Sequence, residues 1–177
     1  MQSFDVVIAG GGMVGLALAC SLQGSGLRIA VLENRLPDDA PLPAIPGVRV
    51  SAVNAASERL LQHIGVWDNI IGQRANPYQG MEVWDRDSFG KIAFRSEEFG
   101  FSHLGHIIEN PVILRALWQR AEQLSEVEIF APAQLKNVAW GRTKPLSISK
   151  TDACSVHVWW SVPTARTRGC VSMRTSR

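Results

Sequence analysis

The chain has 177 residues, 46% of them apolar, which is enough to bury one core and short for two domains. Eighteen Lys and Arg stand against 16 Asp and Glu, and Asp5 with the glycines at 10 to 12 cuts the N-terminal apolar run well below the roughly 18 residues of a membrane helix. No basic leader precedes Asp5, and Cys20, Cys154 and Cys170 form neither a CxxC pair nor an even set, so a cytoplasmic protein with free thiols is expected and no metal site.

Asp5 to Ala9 is a short, valine-rich run that suits a strand buried on both faces. The glycine triplet at 10 to 12 follows, and apolar positions at Val14, Leu16, Leu18, Ala19 and Leu22 predict a helix from about Gly12 to Gln23, ended by Gly24 or Gly26. Leu27 to Leu32 is the next strand, which makes a βαβ unit with a parallel pair and a right-handed crossover. Four prolines make 37 to 46 a loop. Asn54 as N-cap and Gly65 as stop bracket a helix over Ala55 to Ile64. Met81 to Trp84 and Lys91 to Phe94 read as a hairpin, and Asn110 with Pro111 reads as the N-cap and first residue of a helix to about Leu124. Val127 to Phe130 and Leu135 to Trp140 complete the strands. Trp67, Trp84, Trp118 and Trp140 are expected in the core or at its rim. His63 falls on a helix, while His103 and His106 flank an expected strand with no carboxylate pair in view, so all three read as structural.

Gly10-x-Gly12-x-x-Gly15 lies at the strand-to-helix turn, where each glycine has a physical task. Gly10 permits the tight turn, Gly12 lets the backbone approach a pyrophosphate, and Gly15 lets helix and strand pack closely. The amides of Met13 and Val14 can then donate to phosphate oxygens, with the helix dipole adding attraction. Glu33, eighteen residues after Gly15 at the end of the second strand, is placed to accept hydrogen bonds from ribose hydroxyls. The pattern predicts binding of an ADP moiety. It leaves FAD and NAD open, and an acid at 33 disfavours the 2′-phosphate of NADPH.

The blocks DVVIAGGGMVGLALACSLQGSGLRIAVLENR, RVSAVNAASERLLQHIGVW, GMEVWD, SHLGHIIEN and LKNVAWG closely resemble the FAD-dependent hydroxylases of ubiquinone biosynthesis, over about residues 1 to 141. The resemblance implies an α/β fold: a Rossmann-like FAD-binding βαβ domain, incomplete within 1–141, with the start of an antiparallel substrate domain inserted at about 70–107. It implies FAD as cofactor, NAD(P)H as co-substrate, dioxygen as oxidant and a polyprenylated phenol as substrate. For an intact parent it implies peripheral association with a membrane or with other ubiquinone-pathway proteins, and no nucleic acid. By position, Gly10, Gly12 and Gly15 would shape the pyrophosphate site with Met13 and Val14, and Glu33 would hold the ribose. Arg49 would approach the flavin phosphates, and Asn110 would reach the flavin. No catalytic residue is assigned, because the cofactor carries the oxygen chemistry.

Charge divides the chain near the end of that resemblance. Residues 1–140 hold 11 basic and 15 acidic residues, whereas 141–177 hold 7 basic residues and only Asp152. Similar proteins should continue with a GADG-type segment, and Trp160 to Val171, back-translated and read in the neighbouring frame, can yield GADGANSWLR. Residues 142–177 are therefore expected to be a non-native, frameshifted tail, and this chain by itself to be inactive. Two other readings stay open: an NAD-dependent dehydrogenase or reductase on the same βαβ unit, and a noncatalytic anion-binding module using Arg166, Arg168, Arg174 and Arg177.

Overall fold

The structure, a computed structural model, describes residues 2–38, 40–86, 89–141, 147–152 and 155–161, with side chains described as far as Leu135. Its centre is a three-stranded, wholly parallel sheet. Strand β2 (Val6–Ala9) pairs with β3 (Ile29–Leu32), and β3 pairs with β9 (Val127–Phe130). All four residues of β3 are buried, as a parallel strand covered on both faces requires. Helix α1 (Met13–Ser21) and helix α4 (Asn110–Gln123) cover one face, where Leu16, Ala19, Cys20, Ala116, Leu117 and Ala121 meet Ile29 and Val31. On the other face Phe4 and Phe130 meet edge to face, with Ala30 and Leu32 beneath them. Each fully buried Leu, Ile, Val or Phe side chain among these contributes roughly 1.5–3 kcal/mol relative to exposure.

A second sheet is antiparallel, with β8 (Gly105–Glu109) between β4 (Val50–Asn54) and β5 (Ala75–Tyr78). Helices α2 (Ala55–His63) and α3 (Trp67–Ile71) join these strands, and Val53, Leu61, Ile64, Ile70 and Ile108 extend the main core into this sheet. Asn54 caps α2 as expected, its Oδ1 accepting the Ser57 N–H at 2.9 Å, and Gly65 follows the helix at φ +78°. The expected hairpin is present as β6 (Gly80–Trp84) and β7 (Lys91–Arg95), with every residue exposed. Antiparallel structure thus occupies the stretch expected to begin a substrate domain. Strands β5 and β8, however, share the core of the parallel-sheet part.

Four differences from the sequence expectation have simple causes. Helix α1 spans Met13–Ser21, not Gly12 to Gln23, because Gly12 is extended at its N-cap and Leu22 already leaves the helix. Strands β4, β5 and the two-residue β1 (Gln2–Ser3) lack clean alternation and were not anticipated. Trp118 is buried and Trp67 half-buried, but Trp84 is 69% exposed on the hairpin, off the core. Finally, β10 (Gln134–Gly141), β11 (Ser147–Asp152) and β12 (Ser155–Ser161) form a sheet with β1, so part of the expected tail is strand; alternating Val156, Val158 and Trp160 favour that conformation. Cys154, Cys170 and the arginines from 166 onward lie outside the described residues.

Candidate functional site

The turn after β2 is tied to the neighbouring strand by the Gly10 N–H, which donates to the Leu32 carbonyl at 2.8 Å. Gly10 sits at φ +113°, where an L side chain is strained. A Cβ at Gly10 or Gly12 would meet nothing within 4 Å, so both glycines face open space in front of the turn. A Cβ at Gly15 would fall 2.1 Å from the Gly10 carbonyl oxygen, so helix α1 rests directly on the turn. Gly12 caps the helix without a side chain, which leaves first-turn amides such as those of Met13 and Val14 available to an external acceptor. This is a cradle for an anion: bare backbone, free N–H groups and the positive end of a helix.

Glu33 closes the cradle from the end of β3. Its Oε2 accepts the Gly11 N–H at 2.7 Å and its Oε1 accepts the Arg35 N–H at 3.0 Å. Each oxygen retains a lone pair, so the carboxylate is oriented by the protein and still able to accept from ribose hydroxyls. Gly11, which the fingerprint treats as a spacer, is needed as well: a Cβ there would lie 2.9 Å from Glu33 Cβ and 3.2 Å from the Trp118 ring. The unbroken glycine triplet was the signal for it.

Arg49 and Asn110 are brought together. The Asn110 N–H donates to the Arg49 carbonyl at 3.0 Å where β4 enters its sheet, and the Arg49 side chain is exposed. Asn110 is not the N-cap of α4. That position is Glu109, and Asn110 is the first helical residue, its Oδ1 accepting the Ser51 hydroxyl at 2.6 Å. The amide is therefore engaged across the sheet rather than with its own helix. Sequence reasoning also passed over Glu109 and Arg74. Buried Glu109 accepts the Gly47 N–H at 2.8 Å and pairs with Arg74 Nε at 3.3 Å, while Arg74 Nη2 donates to the Pro43 carbonyl at 2.6 Å. Together they pin the proline-rich loop that delivers Arg49. An open apolar cleft of about 490 Å³ runs from Met13 and Val14 to Ser51 and Ile113, joining the helix start to the Ser51–Asn110 pair.

The histidines are not all ordinary. His63 is exposed, but Glu58 on α2 lies between His103 and His106, with Oε2 3.2 Å from His103 Nε2 and Oε1 2.5 Å from His106 Nδ1. This single carboxylate comes from a helix some 45 residues earlier in the chain.

Glycine cradle, anchored acid and βαβ core define a dinucleotide-binding protein. Residues 3–147 match FAD_binding_3, the FAD binding domain family, and the chain belongs to that family. Its cofactor is therefore FAD, and the NAD-dependent alternative is set aside. The bare space over Gly10 and Gly12 fits a pyrophosphate, and the two-lone-pair geometry of Glu33 fits a ribose. Among curated proteins, the chain is 37% identical over 134 residues to 3-demethoxyubiquinol 3-hydroxylase of Escherichia coli, a match covering 76% of this chain and 34% of that protein. It is 38% identical over 144 residues to the mitochondrial ubiquinone biosynthesis monooxygenase COQ6 of Xenopus tropicalis, covering 77% and 30%. The chain thus spans about a third of the length of these relatives. Among solved structures, PqsL of Pseudomonas aeruginosa superposes with a TM-score of 0.57 at 15% identity over 89% of this chain and 41% of that one. p-Nitrophenol 4-monooxygenase PnpA of Pseudomonas putida gives 0.51 at 21% identity over 73% and 32%. At those identities the likeness concerns the fold.

Proposed function

We propose that this chain carries the ADP-gripping part of the FAD site of a monooxygenase of ubiquinone biosynthesis, whose substrate is a polyprenylated phenol such as 2-octaprenylphenol. The observation that carries the reading is the turn itself, with Gly10 and Gly12 bare toward open space and Glu33 held against the Gly11 amide. When bound, FAD supplies the redox chemistry, accepting hydride from NAD(P)H and activating dioxygen. The residues of this chain bind and orient. The Met13 and Val14 amides donate to the pyrophosphate, Glu33 accepts from the ribose, Arg49 neutralises phosphate charge, and Asn110, held by the Ser51 hydroxyl, reaches the flavin from the start of its helix. The names of the relatives support the reaction class, and the break in charge near residue 141 supports a tail of foreign reading frame beyond it.

A competition measurement on the 177-residue chain tests this. If only the ADP end is gripped, ADP and FAD should bind weakly, with similar affinity and in competition, and riboflavin should not compete. Gly12→Val should abolish both. Tight FAD binding that riboflavin displaces, or binding indifferent to Gly12→Val, would move the site away from the turn.

A further inference from the structure

We infer that Glu58, His103 and His106 form a binding site for a divalent transition metal of the zinc class, separate from the nucleotide cradle. One ligand atom from each residue lies within 4.8 Å of the other two. Helix α2 supplies the carboxylate, the segment before β8 supplies His103, and β8 itself supplies His106, so three pieces of chain converge on one point. The 3.2 Å between Glu58 Oε2 and His103 Nε2 is close to the roughly 3.3 Å that separates two ligands about 2.0–2.1 Å from a tetrahedral zinc ion. Glu58 Oε1 and His106 Nδ1 stand closer, at 2.5 Å, as a hydrogen-bonded pair. An ion entering between them takes the place of the shared proton.

The surroundings resemble those of a metal centre. Ser102 Oγ lies 2.9 Å from His103 Nδ1, which holds that ring so that Nε2 faces Glu58. Trp67 meets the His106 ring edge to face at 5.2 Å between centroids, and the two imidazoles pack at 4.7 Å. The Glu58 side chain is only 8% exposed, and its ion-pair partners among the described residues are these two rings alone. With imidazoles and no Lys or Arg as its ion-pair partners among the described residues, this buried carboxylate can take its compensating positive charge from a metal ion as well as from a proton. His103 is 31% exposed, so the cluster opens to solvent on one side, leaving a fourth position for water. Two imidazole nitrogens and one carboxylate oxygen suit zinc, cobalt or nickel; magnesium and calcium prefer all-oxygen sites. Such an ion fastens α2 to the β4–β8–β5 sheet.

The test uses the untagged 177-residue chain, freed of metal with a chelator and titrated with Co²⁺ and then Zn²⁺. One equivalent of Co²⁺ should develop visible bands of mixed nitrogen and oxygen ligation, and Zn²⁺ should displace it and raise the Tm. His103→Ala removes the most exposed ligand and leaves the core in place; it should weaken the Kd by about tenfold or more and remove the Tm gain. Glu58→Gln keeps the size of the side chain and should do the same, whereas His63→Ala, on the same helix and exposed, should bind as the parent does. Circular dichroism checks that each variant is folded, and should Glu58→Gln unfold, His103→Ala decides the matter. Absence of saturable uptake by the parent chain overturns the proposal. So does uptake that survives His103→Ala unchanged, since the three residues would then be a hydrogen-bonded structural cluster only.

Discussion

Two glycines of one turn should fail in opposite ways when given a side chain. A methyl group at Gly15 would sit 2.1 Å from the Gly10 carbonyl oxygen and 3.2 Å from Ile8 Cγ2, so helix α1 must retreat from the turn by about 1 Å to restore ordinary contact. Overpacking of that degree costs up to roughly 3 kcal/mol, against which better helix propensity returns about 1, leaving Gly15→Ala less stable by about 2 kcal/mol. At Gly12 a side chain meets nothing within 4 Å, and φ −76° with ψ 179° is backbone that valine adopts freely. Gly12→Val should therefore cost the fold no more than about 1 kcal/mol, the loss of a preferred capping residue. Its effect belongs to the ligand: in a full-length flavoprotein carrying this domain, FAD affinity should fall by about tenfold or more, the value of a single charge-assisted hydrogen bond. Urea denaturation followed by circular dichroism measures the first quantity, and flavin fluorescence titration the second. Equal destabilisation by the two substitutions, or undiminished FAD binding by Gly12→Val, would refute the assignment of open space to the pyrophosphate.

Glu33→Ala should weaken FAD binding in the full-length protein by on the order of 1–3 kcal/mol, since it removes the ribose acceptor and strands the Gly11 N–H; an unchanged Kd would place the ribose elsewhere. Burial pushes the Cys20 thiol up to about 11 from 9.0, so the neutral thiol is favoured in the fold. Stability should be intact below pH 9 and fall by about 2–3 kcal/mol as the pH rises toward 11, and the thiol should resist alkylation near neutrality; a flat alkaline profile for the parent relative to Cys20→Ala would contradict this. DNA encoding the chain, read in the neighbouring frame beyond about codon 141, should continue as flavoprotein hydroxylase sequence, and stop codons within a few positions would end that idea. The 177-residue chain should show no oxidation of NAD(P)H coupled to hydroxylation of a prenylated phenol; stoichiometric FAD with turnover would refute the view that it grips only one end of the cofactor.

The βαβ unit was legible because its signals are local. Strand β3 is a run of four apolar residues, the turn is a glycine triplet, and Glu33 follows at a fixed distance along the chain. The cap of α2 was legible for the same reason, since Asn54 reaches only to Ser57. The cap of α4 was not, because Asn110 has two attractive partners: its own helix amides, visible in sequence, and the Ser51 hydroxyl, which only the pairing of β4 with β8 brings near. The Glu58–His103–His106 cluster and the Glu109–Arg74 pair share that dependence on sheet register. His106 faces its carboxylate because β8 sits between β4 and β5, an order that no hydrophobic period encodes.

The adenosine end of a flavin site can be held by groups drawn from residues 10 to 33 alone, since two strands and a helix bring turn amides and an acid together without distant help. The ring end makes a different demand, because oxygen transfer requires the isoalloxazine to be placed against the substrate and sealed from water. Two apolar faces stand open among the described residues. Helix α1 is apolar on every side, buries Leu16, Ala19 and Cys20 inward, and exposes Val14 and Leu18 beside Leu60 on α2. The β6–β7 hairpin presents Met81, Val83, Ile92 and Phe94 on one face, all of them more than a third exposed. Helices apolar all round belong in interiors, and two-stranded hairpins depend on further strands or a packed face. One such face adjoins the glycine turn and the other lies in the antiparallel stretch expected to begin a substrate domain. On the proposed function, gripping adenosine is thus a local property of this sequence, whereas hydroxylation would depend on what covers those two faces.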